Sequence, residues 1–255
     1  MHHLCQRLFG AVAEKQRIGT EVLRQLRKTL RIRAGTDQGH RLPRQRRGAQ
    51  QRADPLGLIE AAAINEAISD QENRLLLLAE EKGHVFAPIR REPDEGQHEH
   101  AIWVEKTRGG KRVIKETRNY IYGYTPVVDS WGVVKAQQGT PLDYLERIQI
   151  ANEVLCDRIK FLGVVKQGSQ VSIRTEQPFY QGTEASPREI EGFLASKGFV
   201  AVKARESDAT YFNPQTKVLL YDVEPKNVVK LRDGRIMPID VMATRLGTEE
   251  PERAE

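Results

Sequence analysis

Leu220-Tyr-Asp222-Val-Glu-Pro225-Lys-Asn227-Val-Val229, continued by Lys230-Leu-Arg-Asp-Gly-Arg-Ile-Met-Pro-Ile-Asp240, is the stretch on which the reading of this chain turns. Lys217–Tyr221 and Asn227–Leu231 have the short, β-rich composition of strands, and Pro225 marks a turn between them. Asp222 therefore leaves one strand and Asn227 enters the next. The Asp233-Gly234 pair is a strong hairpin signal, so Arg235–Ile239 is expected to return antiparallel to the strand before it. That hairpin brings Asp240 back to the edge occupied by Asn227, facing it across paired strands. Asp233 is accounted for by the turn.

Upstream, helices and strands alternate irregularly. Residues 57–82 carry Leu58, Ile59, Ala62, Ile64 and Ile68 at helical spacing, and Gly83 is the stop. His98–Val104 and Arg112–Lys115 read as two strands around the Gly109-Gly110 turn. Thr140-Pro141 is an N-cap followed by a proline at the first helical position, where a missing N–H costs nothing. The helix it opens has an apolar face of Leu142, Leu145, Ile148, Ala151, Val154 and Leu155 and runs to about residue 157. Strands are expected at Ile159–Val165 and Val171–Thr175, a helix from Ser186-Pro187 to Lys197 with Gly198 after it, and a strand at Ala209–Phe212. The class is α+β, and no internal repeat is present.

The chemistry that suits this arrangement is phosphoryl transfer from ATP. It needs a cation on the phosphates, carboxylate and amide oxygens on magnesium, and a carboxylate near the attacking hydroxyl. Protein kinases space their catalytic Asp and metal-binding Asn as Asp222 and Asn227 are spaced here, with a second metal-binding Asp beyond, where this chain has Asp240. Arg112-Val-Ile-Lys115 has the form of the strand whose Lys contacts the α and β phosphates. A Lys in that role requires a helix carboxylate. Glu146 is favoured, and Glu153, seven residues on and on the same face, stays open. Gly96-Gln-His-Glu-His takes the place of a glycine-rich phosphate loop without its full pattern. His98 and His100 have no third ligand nearby and suggest no metal role.

These pieces resemble the serine/threonine/tyrosine kinase domains of polyvalent proteins from phages and mobile elements. The likeness rests on Gly96-Gln-His-Glu-His, Arg112-Val-Ile-Lys115, Pro141-Leu-Asp-Tyr-Leu-Glu-Arg-Ile148 to Asn152, Thr175-Glu-Gln-Pro-Phe179, Tyr211-Phe-Asn-Pro214, Asp222-Val-Glu-Pro-Lys-Asn227 and Met237-Pro-Ile-Asp240-Val. It covers about residues 72–245. It implies a reduced, two-lobed kinase-like fold with a truncated C-terminal lobe, with ATP and Mg²⁺ in the cleft. By the resemblance, Lys115 and Gly96 hold phosphates, Glu146 orients Lys115, Asp222 is the catalytic base, and Asn227 and Asp240 bind the metal. Arg174-Thr-Glu-Gln-Pro178 looks like the hinge, with the backbone of Glu176 and Gln177 on the adenine edge. The chain departs from a full protein kinase at Tyr221 (Arg in the pattern), Glu224 (Lys) and Val241-Met242 (Phe-Gly). The short stretch after Asp240 leaves no room for an activation segment or a large helical lobe. ATP-Mg²⁺ binding is thus the firmer expectation, with a phosphoryl acceptor unspecified. A catalytically inactive nucleotide-binding module is the alternative.

Charge divides the chain. Residues 1–55 hold 13 Lys/Arg against 4 Asp/Glu, whereas the rest holds 27 against 31. This basic extension, helical to about residue 33 and then linker-like, reads either as a solvated tail or as an arm for nucleic acid or another acidic partner. Residues 56–83 form a helical lead-in, 84–245 the kinase-like domain and 246–255 an acidic tail. Two distant cysteines, Cys5 and Cys156, give no disulfide framework. No apolar run approaches the ~18–20 residues that span a bilayer, and a cytoplasmic protein without membrane contact is expected.

Overall fold

The structure, a computed structural model, describes residues 55–94, 99–205, 207, 209–247, 251 and 253. The basic segment, Gly96 of the expected phosphate loop and much of the acidic tail lie outside the described residues. The class is α+β: three α-helices and fourteen strands in four sheets among the described residues.

Helix α1 (Pro55–Glu81) matches the apolar repeat that announced it. It ends at Gly83, whose φ of 69° closes the last turn and lets the His84 N–H donate to the Ala79 carbonyl at 2.8 Å. Ile68, Leu75 and Ala79 enter a core shared with Tyr122, Tyr144, Leu145, Val164 and Ile173. Burial of each large member is worth about 1.5–3 kcal/mol. Polar contacts then fix the helix's position. Gln71 Oε1 accepts from the Leu142 N–H at 2.8 Å, and Tyr122 donates to buried Glu72 at 2.6 Å.

That core lies against a five-stranded sheet in the order β1–β6–β7–β3–β2. Its strands are β1 (Val85–Phe86), β2 (His100–Thr107), β3 (Gly110–Thr117), β6 (Lys160–Gln167) and β7 (Gln170–Pro178). The β2–β3 hairpin turns at the expected glycines, with Thr107 opposite Gly110 and Ile102 opposite Lys115. Strands β4 (Tyr124–Val128) and β5 (Val134–Gln138), five residues each, form a separate ribbon that the sequence reading missed.

Helix α2 (Pro141–Ile150) begins with a complete capping box, Thr140 and Asp143 satisfying each other's backbone N–H groups. It was expected to remain α-helical to residue 157. Instead it loosens into a π turn at Ala151–Leu155, which Cys156 ends at a φ of 61°. The Asn152 side chain then grips both main-chain groups of Ile159 at 2.7 Å, locking the entry to β6.

The second half is smaller in its elements. A short strand, β8 (Gly182–Glu184), leads to helix α3 (Pro187–Ser196), which repeats the capping box with Ser186 and Glu189. A four-stranded sheet runs β14–β11–β10–β9, from Met242–Arg245, Val218–Tyr221, Tyr211–Asn213 and Val200–Ala201. A three-stranded sheet runs β13–β12–β8, with β12 at Val228–Leu231 and β13 at Ile236–Pro238. The β12–β13 hairpin forms in the expected register, Val228 opposite Pro238. A second core gathers Ile150, Leu155, Ile190, Leu194, Val218, Leu220, Val228 and Ala243. Helix α2 spans both cores, so the groups carried by the five-stranded sheet and those carried by the hairpin meet along it. No helix among the described residues is long and apolar enough to cross a membrane.

Candidate active site

Lys115 leaves the end of β3, its side chain only 12% exposed, and crosses to the second half of the chain. Its Nζ donates to the Ile239 carbonyl at 3.1 Å and to Asp240 Oδ1 at 3.4 Å. Residues 125 positions apart thus converge, which strand reading alone could only suggest.

Asp222 follows β11, and the pairing of Tyr221 with Met242 sets it beside the segment that begins at Asp240. Its φ of 61° is a left-handed conformation that Asp tolerates better than most residues. Asn227 holds it there: Nδ2 donates to the Asp222 carbonyl at 2.9 Å and to Oδ2 at 3.0 Å. The Ile239 N–H donates to the Asn227 carbonyl at 2.9 Å, so Asn227 and Asp240 stand on neighbouring strand ends. Burial raises the Asp222 pKa above the ordinary carboxylate value, opposed by the nearby Lys226 ammonium.

Lys115 makes its hydrogen bonds to Ile239 and Asp240, while Glu153 sits out on Arg245 at 3.1 Å. The residue that α2 turns into the site is Arg147. Tyr144, Arg147, Ile148 and Ala151 share one helical face, and Glu146 is rotated about 100° from it. Arg147 is 9% exposed and donates to Asp240 Oδ1 at 2.9 Å, to Glu99 Oε1 at 2.6 Å and to the Val241 carbonyl at 3.0 Å. Lys115 and Arg147 outweigh the desolvation of the Asp240 carboxyl and hold it well below the usual range, while its side chain keeps 39% of its exposure.

Glu99 closes this network from the start of β2. Burial raises its pKa, with Arg147 opposing. Beside it, His100 Nε2 is 2.8 Å from Tyr144 Oη, and burial together with Lys115 lowers the His100 pKa to about 3, so its imidazole is neutral.

Behind Lys115 lies a small cavity of about 20 Å³ that Asp157, Gln177, Thr175, Lys115 and Asp240 help to line. Burial pushes the Asp157 pKa up to about 7. Sequence reasoning missed Glu99, Arg147 and Asp157, since nothing in local pattern marks a charged residue for burial. For Arg147, the one available signal was its phase with Tyr144 and Ile148.

The expected hinge residues lie in the last part of β7. Strand β7 continues to Pro178, and Glu176 is flanked by Ile114 on one side and Lys160 on the other. The main chain of Glu176 is therefore committed to the sheet, and its carboxylate is tied to Lys160 at 3.0 Å. Gln177 lies opposite Val113, and its buried side chain faces the cavity instead of an open edge.

The oxygen atoms present suit a small hard cation. Asn227 spends both Nδ2 hydrogens on Asp222, which leaves its Oδ1 without a hydrogen bond among the described residues. Both cations take Oδ1 of Asp240, leaving Oδ2 likewise. Among the described residues no group of three His, Cys, Asp or Glu side chains could cage a metal unaided. One carboxylate, one amide oxygen and the oxygens of a bound phosphate are the donor set magnesium ordinarily accepts.

Comparison with curated proteins gives no match. The model of a family described as the serine/threonine/tyrosine kinase found in polyvalent proteins matches residues 96–245, a span holding Lys115, Arg147, Asp157, Asp222, Asn227 and Asp240. On that match, the chain belongs to the polyvalent-protein serine/threonine/tyrosine kinase family.

Proposed function

We propose that this chain binds ATP with Mg²⁺ between the five-stranded sheet and the β12–β13 hairpin and transfers the γ-phosphoryl group to a hydroxyl acceptor. The fold is then a reduced, two-lobed kinase-like one with a truncated second lobe. The observation that carries the reading is the meeting of Lys115 with Asp240, with Asn227 and Asp222 beside them.

In this reading Lys115 holds the nucleotide's phosphates, and Asn227 Oδ1 and Asp240 Oδ2 hold the metal. Magnesium, when bound, neutralises phosphate charge. Asp222 receives the acceptor's proton as the acceptor oxygen bonds to the γ-phosphorus and the bond to the leaving diphosphate breaks. Its raised pKa suits that task.

The departure at Glu224 is offset nearby. Lys226 places its ammonium 3.7 Å from Asp222 Oδ1 while pairing with Glu224 at 2.8 Å. A cation thus stands beside Asp222 although the position two residues after it is acidic.

Calorimetric titration of ATP, with and without Mg²⁺, into wild type and Asp240→Ala is the test. Magnesium-dependent binding that the substitution abolishes is the expected result. Absence of binding to wild type, or unchanged affinity in the variant, defeats the reading.

A further inference from the structure

Asp157 is 3% exposed, and the one polar contact of its carboxylate among the described residues is the Gln177 Nε2, at 3.3 Å. Among the described residues no cation lies within ion-pair distance of it. Gln177 is 4% exposed, and its Oε1 has no hydrogen-bond partner among the described residues. A buried carboxylate without a cation and a buried amide oxygen without a donor are each costly. They lie side by side and line the same cavity of about 20 Å³. Lys115 lines it too.

The missing partner has a defined chemistry. The Asp157 carboxylate, which lacks a cation, and Gln177 Oε1, which lacks a donor, are both acceptors, so what suits them is a compact group with several N–H or O–H donors and a positive charge. The Lys115 ammonium has three donors on a flexible stem, and a cavity of this size holds one water-sized group. With an ammonium between them, Asp157 would be ionised and Gln177 Oε1 satisfied.

We propose that Asp157 and Gln177 form a second seat for the Lys115 ammonium, taken up when Asp240 turns its carboxylate to a metal. Asp157 is then the positioning residue that holds Lys115 for phosphate binding, the task expected of Glu146. No bond is made or broken; one ion pair replaces another. The metal trigger rests on the nucleotide reading above, but the second seat does not.

The test is a labelling cycle on the full-length chain, without nucleotide or metal. Lys115 acylation by an amine-reactive ester is followed by mass spectrometry in wild type, Asp240→Asn, Asp157→Asn and the double variant. Thermal melts confirm that each is folded, and Asp157→Ser replaces Asp157→Asn should the amide fail to fold. Asp240→Asn alone is expected to raise the labelling rate less than about twofold, because Lys115 moves to Asp157. The double variant is expected to raise it about tenfold. A full rise from Asp240→Asn alone overturns the proposal, as does no further rise on adding Asp157→Asn, or one rate for all four proteins. Since ATP takes no part, failure here is separable from failure of the titration.

Discussion

Arg147 Nη2 lies 2.9 Å from Asp240 Oδ1, the same oxygen that Lys115 approaches at 3.4 Å. Two cations from different parts of the fold therefore converge on one lone-pair-bearing atom and leave its twin to other partners. Arg147 also bonds the carboxylate of Glu99 and the carbonyl of Val241. One guanidinium thus ties the start of β2, helix α2 and the entry to β14 into a single unit, using the fork of donors that lysine lacks.

Breaking that tie should be expensive. Arg147→Met leaves the buried Glu99 carboxylate without its cation, and a stability loss of about 3–5 kcal/mol is expected in urea unfolding. The double variant Arg147→Met/Glu99→Gln should recover a large part of it. A single variant within about 1 kcal/mol of wild type would show that the network contributes little.

Asp157 makes stability depend on pH with a definite sign. Its folded pKa, about 7, lies above the ordinary 3.8 of the unfolded chain. Between those values the native state binds the extra proton, so stability is fully present below pH ~4 and is lost as pH rises through ~7. Asp157→Asn mimics the protonated form and should be the more stable protein at pH 8, by on the order of 3 kcal/mol. At pH 4 the two should agree. His100, depressed to about 3, acts oppositely, its contribution being lost as pH falls, but it is common to both proteins and cancels in the difference. Parallel melting curves across pH 4–8 would refute the assignment.

The parts of the site that were legible in the sequence are those fixed by local rules. Asp222, Asn227 and Asp240 are placed by strands of four and three residues and an Asp-Gly turn, all short-range signals. Lys115 follows from a glycine-turn hairpin. What was not legible depends on phase and on tertiary burial. Glu146 and Arg147 are adjacent, and only packing of Tyr144, Leu145 and Ile148 against the core decides which of the two enters the cleft. Asp157 faces the cavity because a π turn replaces the final α-helical turn, and apolar spacing carries no warning of that. The extension of β7 to Pro178 was not legible either, because the strand runs farther than its apolar residues do, drawn on by pairing with β3.

Lys226 offers a kinetic prediction. If its ammonium serves the γ-phosphate beside Asp222, Lys226→Ala should lower the transfer rate by roughly tenfold or more, with Mg-ATP affinity nearly unchanged. Glu224→Gln, which releases Lys226 from its closest partner, should not lower the rate. Steady-state assays with both variants decide it: a Lys226→Ala enzyme as fast as wild type removes that role.

Gly123 sets a steric limit on the same network. Its φ is 75°, and a Cβ there would lie 2.5 Å from the Glu99 carboxyl carbon. Gly123→Ala is therefore strained by backbone and by contact together, and the buried carboxylate cannot retreat without losing Arg147. A loss of about 2–4 kcal/mol is expected. In a Glu99→Ala background, where the contact is gone, Gly123→Ala should cost less and keep only its backbone share. Chemical denaturation of wild type, the two single variants and the pair separates the shares, the cost of losing Glu99 cancelling in the cycle. An equal cost of Gly123→Ala in both backgrounds would mean that the glycine is required for its backbone conformation alone, and that Glu99 is not wedged against it.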